Sequence, residues 1–260
     1  MAIQYKTPEQ IEKMHQAGRI VRKVLNRLGQ MMAPGVTTQE LDAEAERICR
    51  ACGAQCLFKG VPGRGGAGPF PGNICASINE EVVHGIPSSR RKIREGDIVS
   101  IDFGVRLNGW CGDAAETFPV GAVSADVRRL VDVTRNVLEI VVRMCRPGET
   151  WSTVARAMQQ YIEGEGFSVV REYVGHGIGS SMHEDPKVPN FVSPELERRD
   201  ILLKEGLVVA VEPMVNLGGE AVRPAPDGWT IVTADRLPSA HFEHTLAMVP
   251  GGVRVLTGDE

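Results

Sequence analysis

The stretch REGDIVSID, residues 94–102, returns 110 residues later as KEGLVVAVE, residues 204–212. Each copy has a glycine that indicates a turn, then an apolar run typical of a buried strand. A carboxylate, Asp102 or Glu212, stands where the apolar run ends. A buried carboxylate without a partner is costly, and neither copy places a lysine or arginine beside its acid. We therefore expect a bound metal ion to supply the compensating positive charge.

The repeat extends beyond these two strands. IVRKVL at residues 20–25 matches VTRNVL at residues 133–138, at an offset of 113 residues. At the same offset, Pro34-Gly35 falls on Pro147-Gly148. The chain thus predicts two halves of one order: a long helix, a Pro-Gly turn, a second helix and then strands. No linker separates the halves, so we predict a single domain over residues 1–260.

Capping signals predict where the helices begin. Thr7-Pro8-Glu9-Gln10 is typical of a capping box with proline at the first helical position. Thr37-Thr38-Gln39-Glu40 opens a second helix, which ends near Gly53. Ser124 caps the third helix, and the fourth runs from about Ser152 to Gly164.

The strands come in alternating runs with hairpin signals such as Asn108-Gly109, which favours antiparallel pairing. Two halves that each combine two helices with strands predict an α+β fold. In this fold the halves are related by a pseudo-twofold axis, and the helices lie outside a central antiparallel sheet.

Bulk composition excludes several classes of partner. Hydrophobic content of 42% and charged content of 24% are those of a globular protein. The net charge of −4 offers no basic surface for nucleic acid or anionic lipid. No apolar run approaches the ~20 residues of a membrane span, and the N-terminus lacks a secretory core. Six cysteines without an export signal favour reduced thiols, so we expect a cytoplasmic location.

The hairpin at Asn108-Gly109 predicts an acidic pair. A two-residue turn there places Asp102 opposite Ala115 and Asp113 opposite Gly104. The two aspartates are then diagonal neighbours on one face of the sheet, with Cβ atoms roughly 7 Å apart. Without a cation, such carboxylates repel each other and one takes up a proton. A divalent ion between them would keep both ionised.

The second half supplies further candidate ligands. Glu243 lies in AHFEHT, residues 240–245, which we interpret as one alternating strand. Alternation sends His241 and Glu243 to one face and His244 to the other. Glu243 therefore joins Glu212 as a candidate ligand, and we expect His241 to lie beside the ligands rather than among them.

His176 is the candidate imidazole, because the glycines of GHGIG, residues 175–179, leave its ring free to approach an ion. Four carboxylates and one imidazole form a hard ligand set that suits Mn, Fe(II) or Co and also accepts Zn. Four carboxylates are more than one ion needs, and we therefore expect two divalent ions that share bridging carboxylates. That equipment suits hydrolysis. Taken singly, each acid is more typical of a solvated strand end or half of an ion pair than of a ligand, and His176 alone is compatible with a loop histidine.

Together these residues resemble the type I methionine aminopeptidases over nearly the whole chain. The resemblance rests on five segments: NICASINEEVVHGIP (73–87), SIDFGVRLNGWCGDAAETF (100–118), GHGIGSSMHEDP (175–186), VVAVEPMV (208–215) and DGWTIVTADRLPSAHFEHT (227–245). The order Asp, Asp, His, Glu, Glu in these contexts is highly specific. The resemblance implies the pita-bread fold, a pseudo-twofold α+β structure with a dinuclear metal site in its central cleft.

The resemblance also implies a distribution of the metal ligands. Asp102 and Asp113 would hold the first ion, and His176 with Glu212 would belong to the second. Asp113 and Glu243 would bridge the two ions. Glu212 would in addition handle the proton of the attacking water.

The residues implied to contact substrate lie outside this ligand set. His84 would lie near the amino group and the scissile amide, and His183 would hydrogen-bond the scissile carbonyl and the tetrahedral intermediate. The residues implied to line the methionine pocket are Cys75, Phe70, Met182 and Trp229. The first three are equally typical of core packing. The link GVPGRGGAGPFP, residues 60–71, is longer and richer in glycine than is usual in the family.

The implied reaction is removal of the initiator methionine from nascent polypeptides whose second residue is small. The implied partners are those nascent N-termini, with transient contact with the ribosome left open, and we expect a monomer. The resemblance is to the short bacterial form, which has neither an N-terminal zinc-binding extension nor a large insertion between His183 and Glu212.

Three alternatives stay open on the same scaffold. An X-Pro aminopeptidase or prolidase usually carries an extra N-terminal domain, for which the residues before Asp102 leave no room. A non-enzymatic binding protein, or a creatinase-like hydrolase without metal, would not need all five candidate ligands, and this chain keeps them.

Overall fold

The computed structural model describes residues 2–63 and 65–259, and their elements follow the predicted order. The helices are Pro8–Met31 (α1), Thr38–Ala51 (α2), Ala125–Met144 (α3), Trp151–Gly164 (α4) and Pro194–Arg198 (α5). The strands are Gln55–Cys56 (β1), Cys75–Ile78 (β2), Glu81–Val83 (β3), Ile98–Leu107 (β4), Trp110–Pro119 (β5), Ser168–Val169 (β6), Gly175–Gly177 (β7), Glu184–Val188 (β8), Val208–Val211 (β9), Met214–Asn216 (β10), Val222–Pro224 (β11), Ile231–Thr233 (β12), Ser239–His241 (β13), His244–Val249 (β14) and Gly252–Val255 (β15). Within the described ranges, no helix has the length and apolar character needed to cross a membrane.

The helix starts agree with their sequence signals. Thr7 with Gln10, and Thr37 with Glu40, each form a reciprocal capping box at the start of α1 and α2. Ser124 accepts a backbone hydrogen bond at the start of α3. Helix α4 begins at Trp151, one residue before the predicted start.

The two halves also share equivalent backbone hydrogen bonds. The N–H of Gly35 donates to the carbonyl of Ile93 at 2.8 Å, and the N–H of Gly148 donates to the carbonyl of Leu203 at 2.8 Å. The two glycines have φ angles of 96° and 99°, which a side chain would disfavour. In both halves, the turn after the first helix is thus tied in the same way to the segment that precedes the repeated strand, β4 or β9.

The described strands pair antiparallel in four sheets. The first joins β1, β4 and β2, with β5 paired to β4. The others are β13-β10-β6, β11-β12-β3 and β15-β14-β9-β7-β8. The turn of the β4–β5 hairpin has φ angles of 49° at Asn108 and 86° at Gly109, as a type I′ turn requires. Its register places Asp102 opposite Ala115 and Gly104 opposite Asp113, which confirms the predicted pairing.

Each half has its own apolar core between helices and strands. Leu25 of α1 and Leu41 of α2 belong to one buried cluster with Phe103 of β4. Trp151 of α4 belongs to a second cluster with Val211 of β9. The helices therefore cover the strands from outside and leave the other side of the strands for polar residues.

Strands β13 and β14 are interrupted at Phe242 and Glu243, so the prediction of one continuous strand over residues 240–245 is wrong. Phe242 donates its N–H to the carbonyl of Pro213 at 3.2 Å, and Glu243 donates its N–H to the carbonyl of Ala115 at 2.9 Å. Pro213 has no N–H to return the bond of Phe242, and Glu243 bonds to β5, so the pairing is interrupted at these two residues although the register is the same on both sides. The neighbouring strands β9 and β10 are interrupted at the same level, so the chain passes between two sheets there.

Candidate metal centre

The two aspartates of the first half lie within an uninterrupted hairpin. Asp113 is 3% exposed, and Asp102 and Asp113 each have a buried Oδ1 that makes no hydrogen bond. Burial raises the pKa of Asp102 to about 7. Burial, together with the charges of Asp102 and Glu212, raises the pKa of Asp113 well above its usual range. Ionisation is therefore opposed at both aspartates, by burial at Asp102 and by burial with neighbouring negative charge at Asp113.

The two glutamates of the second half lie at the strand interruptions. Glu212 follows β9, and Glu243 precedes β14. Glu243 is 2% exposed, and its Oε1 is buried without a hydrogen bond. Burial, and to a lesser extent the charge of neighbouring carboxylates, raises the pKa of Glu212 and of Glu243 well above the usual range. Four carboxylates from two halves thus converge and repel one another.

His176 lies between acids of both halves. Its Nε2 is 3.8 Å from Oδ2 of Asp113 and 3.8 Å from Oε1 of Glu212. Its Nδ1 lies 2.9 Å from the carbonyl of Gly177, which can only accept, so Nδ1 holds the hydrogen. Burial, then the charge of His183, lowers the pKa of His176 to about 4. The ring is therefore neutral, and Nε2 is free to bind a cation.

The glycines beside His176 are required by the strands around them. A Cβ on Gly175 would lie 2.3 Å from the carbonyl oxygen of Ala210, and one on Gly177 would lie 2.3 Å from that of Asp185. The two glycines are thus required by the neighbouring backbones and not, as the sequence suggested, by the ring of His176. They let the neighbouring backbones approach β7 closely.

The donor set fits a divalent cation. Asp113, His176 and Glu243 offer ligand atoms that all lie within 4.8 Å of one another. Across residues 2–63 and 65–259, this is the one such group of three His, Cys, Asp or Glu side chains. The buried unpartnered oxygens of Asp102, Asp113 and Glu243 lack the positive partner that buried charge requires. Carboxylate oxygens and a neutral imidazole nitrogen are ligands for Mn, Fe(II), Co or Zn.

Cys75 connects the acidic cluster to His84. Cys75 is 5% exposed and lies opposite Asp102 in the β2–β4 ladder. Its thiol lies beside the carboxylate of Asp102 and the backbone of His84, and burial, then the charges of Asp102 and Asp113, raises the pKa of the thiol well above its usual range. His84 follows β3 with a φ of 61°, a conformation that is uncommon for residues other than glycine and is enriched at functional sites.

Aromatic rings surround His84. The rings of Tyr173 and Trp229 make edge contacts with it, at centroid distances of 5.6 Å and 6.4 Å. Phe70, 3% exposed, makes an edge contact with Trp229 at 5.1 Å. Sequence reasoning missed Tyr173, because its contact with His84 crosses between the halves and no local spacing indicates it.

The glycine-rich link, residues 60–71, reaches this aromatic group. The indole Nε1 of Trp229 donates to the carbonyl of Gly68 at 2.9 Å. Backbone hydrogen bonds between Gly60 or Val61 and Phe70 close the base of the link. Arg64 lies outside the described residues.

Met182 and His183 approach the cluster from the second half. The ring centroids of His176 and His183 are 4.3 Å apart. A Cβ on Gly104 would lie 2.5 Å from Cε of Met182 and 3.1 Å from Oδ1 of Asp113, so Met182 packs over Gly104 beside that acid. The structure thus brings the predicted ligands, the two histidines and the pocket residues into one region.

The flanking histidines of the second half separate as expected despite the strand interruption. His241 Nε2 lies 3.9 Å from Oε2 of Glu212, and His244 Nδ1 lies 2.9 Å from the hydroxyl of Thr257. Burial, then the charge of His84, lowers the pKa of His241 to about 3. His241 is therefore a neutral ring beside the acids, while His244 lies on the far side.

Fold and site together define a metallopeptidase. The chain belongs to the metallopeptidase family M24, whose family model matches residues 12–250.

Comparison with individual proteins narrows the assignment. The chain is 47% identical over 252 residues to methionine aminopeptidase 1 of Bacillus subtilis strain 168, covering 97% of this chain and 98% of that protein. The crystal structure of the methionine aminopeptidase from Thermotoga maritima matches with a TM-score of 0.93 at 40% identity, covering 99% of this chain and 100% of that one. The prolidase from Pyrococcus furiosus matches with a TM-score of 0.76 at 22% identity, covering 98% of this chain and 66% of the prolidase chain. At that identity the match shows a shared fold and no more. The predicted family and the α+β pita-bread fold are confirmed.

Proposed function

We propose that this chain is a metal-dependent aminopeptidase that removes the N-terminal methionine from polypeptides. The observation that carries the proposal is the buried cluster of four carboxylates around a neutral histidine, in a chain whose relatives are methionine aminopeptidases. An X-Pro peptidase is not favoured, because the prolidase likeness is limited to the fold.

The proposed cofactor is a pair of divalent ions held by five side chains: Asp102, Asp113, His176, Glu212 and Glu243. The unpartnered oxygens and the raised carboxyl pKa values support this proposal, since four adjacent acids stay ionised only beside concentrated positive charge. When bound, the ions lower the pKa of water and polarise a carbonyl. Mn, Fe(II), Co and Zn all suit the set.

The proposed acid–base work falls to Glu212 and two histidines. Glu212 takes a proton from the attacking water and delivers it to the leaving amine, and its position between His176 and His241 supports that role. His183, at the exposed rim of the cluster, donates a hydrogen bond to the scissile carbonyl. His84, held among aromatic rings, contacts the scissile amide.

The proposed methionine pocket is lined by Cys75, Phe70, Met182 and Trp229. Their supporting contacts run from the aromatic rings around His84 to the thioether over Gly104. Flexible and polarisable thioether groups pack well against aromatic edges, which suits a methionine side chain. We further propose that a small second residue is required, that nascent chains are the substrates, and that the two halves act as one monomeric domain.

A peptide-release assay tests this function. Chelator-treated enzyme is incubated with peptides that begin Met-Ala, Met-Leu, Leu-Ala or Ala-Pro, with and without Mn, Fe(II), Co or Zn. We expect rapid cleavage of Met-Ala alone, and only with metal. Asp113→Ala should abolish it, whereas Asp132→Asn, at an exposed acid on α3, should not. Activity that survives chelation or Asp113→Ala, or faster cleavage of Ala-Pro, would contradict the proposal.

A further inference from the structure

His241 occupies the place in the second half that Asp113 occupies in the first. The hydroxyl of Thr117 accepts from the N–H of His241 at 2.9 Å and donates to its carbonyl at 2.8 Å. The hydroxyl of Thr245 accepts from the N–H of Asp113 at 3.1 Å and donates to its carbonyl at 2.8 Å. Both the threonines and their partners are 128 residues apart. Each threonine thus fixes the backbone of the equivalent residue in the opposite half.

This equivalence pairs His241 with Glu212, as Asp113 is paired with Asp102. His241 is 2% exposed, and its buried Nε2 makes no hydrogen bond. That atom points at the carboxylate of Glu212, with Nε2 3.9 Å from Oε2. The other oxygen of Glu212 faces His176. The carboxylate therefore lies between two neutral imidazoles, each directed at a different oxygen.

We propose that His241 is a positioning residue whose Nε2–H holds Oε2 of Glu212 and thereby leaves Oε1 directed at the ligand side of the cluster. This inference rests on the proposed function, because it assigns Glu212 to the metal centre. A distance of 3.9 Å exceeds a hydrogen bond, so a small rotation of the Glu212 side chain completes the contact. A buried N–H that makes no hydrogen bond is costly, and the carboxylate of Glu212 is the acceptor that Nε2 of His241 faces.

The main alternative is that His241 is itself a ligand, since an unpartnered imidazole nitrogen can bind a cation directly. The two roles differ in what substitution does. Loss of a ligand removes an ion or changes the coordination of one that remains. Loss of a group that orients a ligand weakens binding, typically by about 10–100-fold, and leaves the coordination number intact.

The test compares His241→Leu, which removes the donor, with His241→Gln, which keeps an N–H at similar reach. His244→Gln is the matched control, because that histidine lies on the far side against Thr257. Each metal-free protein is titrated calorimetrically with Co(II), the visible spectrum of the Co(II) form is recorded, and kcat and KM are measured on a Met-Ala peptide.

We expect His241→Leu to keep the stoichiometry and the Co(II) spectrum, to weaken one binding step by about 10–100-fold, and to lower kcat more than it raises KM. His241→Gln should restore both affinity and kcat. Unchanged affinity in His241→Leu, a glutamine no better than leucine, or the loss of one bound ion would each overturn the proposal.

Two precautions keep the outcome decisive. If His241→Leu does not fold, as judged by circular dichroism, His241→Asn replaces it, since its shorter amide is polar but does not reach Glu212. If the wild-type protein binds Co(II) yet fails to cleave the peptide, the proposed function fails while the titrations still report the role of His241.

Discussion

Replacing Lys6 with methionine leaves the carboxylate of Glu184 buried without its cation. Lys6 Nζ lies 2.6 Å from Oε2 of Glu184, and the two side chains are only 3% and 8% exposed. The other oxygen of Glu184 accepts from the N–H of Ser181 at 3.2 Å. The pair therefore ties the segment before α1 to the loop that carries His183.

The magnitude follows from burial. Removing one member of a buried ion pair costs about 3–5 kcal/mol, because the remaining charge is left uncompensated. Lys6→Met should thus lower the free energy of unfolding of the metal-free protein by about 3 kcal/mol or more. At roughly 2–4 °C for each kcal/mol, Tm should fall by about 6–12 °C. The double variant Lys6→Met with Glu184→Gln should lose only about 1 kcal/mol, because it buries no charge and keeps the bond from Ser181.

Urea unfolding of the four proteins in this double-mutant cycle measures the coupling directly. We expect a coupling energy of at least about 2 kcal/mol. Arg143 and Glu139 on α3 form the matched control, since their side chains are 65% and 62% exposed, and their coupling should be about 0.5 kcal/mol or less. A cost below about 1 kcal/mol for Lys6→Met, or an additive cycle, would refute the reasoning by showing that Glu184 is compensated in another way.

Three further outcomes are expected. A Cβ on Gly18 would lie 2.1 Å from the backbone carbonyl oxygen of Leu256, so Gly18→Ala should destabilise the protein by about 1–3 kcal/mol or more. A Cβ on Gly164 would meet nothing within 4 Å, so Gly164→Ala should stabilise the protein by about 0.5–1 kcal/mol. A lower Tm for Gly164→Ala than for Gly18→Ala would contradict this. Burial lowers the pKa of His244 to about 4, so the unfolded chain binds more protons between that value and the ordinary histidine pKa of about 6.5. The stability that neutral His244 contributes is therefore lost as pH falls from about 6.5 to about 4. In urea unfolding at a series of pH values, His244→Asn should reduce the change in unfolding free energy over this range. The same change in wild type and variant would contradict this assignment. Mn(II) at about 100 times its Kd should raise the unfolding free energy of chelated enzyme by about 2.7 kcal/mol, and a similar gain in Asp113→Ala would mean that the ion binds elsewhere.

Local signals account for the parts of the fold and site that the sequence predicts well. The capping box at Thr7 needs only residues three apart, and the turn at Asn108-Gly109 needs only two residues that tolerate positive φ. Because a two-residue turn sets the register of both its strands, the relation between Asp102 and Asp113 follows from that turn alone. The acidic pair is therefore predictable from fewer than twenty residues of sequence.

Features that depend on distant partners escape the same reasoning. The alternation of AHFEHT is typical of one strand, yet the strand is interrupted where Phe242 faces Pro213, which has no N–H to return a bond, and where Glu243 bonds to Ala115 of the first half. Tyr173 meets His84 only after the halves come together. Lys6 and Glu184 are 178 residues apart, and neither stands in a pattern that names the other. In each case the deciding contact is tertiary.

The duplication explains why the candidate centre contains acids of both halves without being symmetric. The threonine hydroxyls at Thr117 and Thr245 hold equivalent backbones across the axis, so the frame is repeated even though the side chains on it differ. Where the first half has Asp113, the second has a neutral imidazole, His241. A fifth carboxylate there would add to the negative charge that, together with the larger effect of burial, already raises the pKa of Glu243. An imidazole at that position instead gives Glu212 a donor without adding charge, which is what a carboxylate needs if it is to exchange a proton in a fixed orientation.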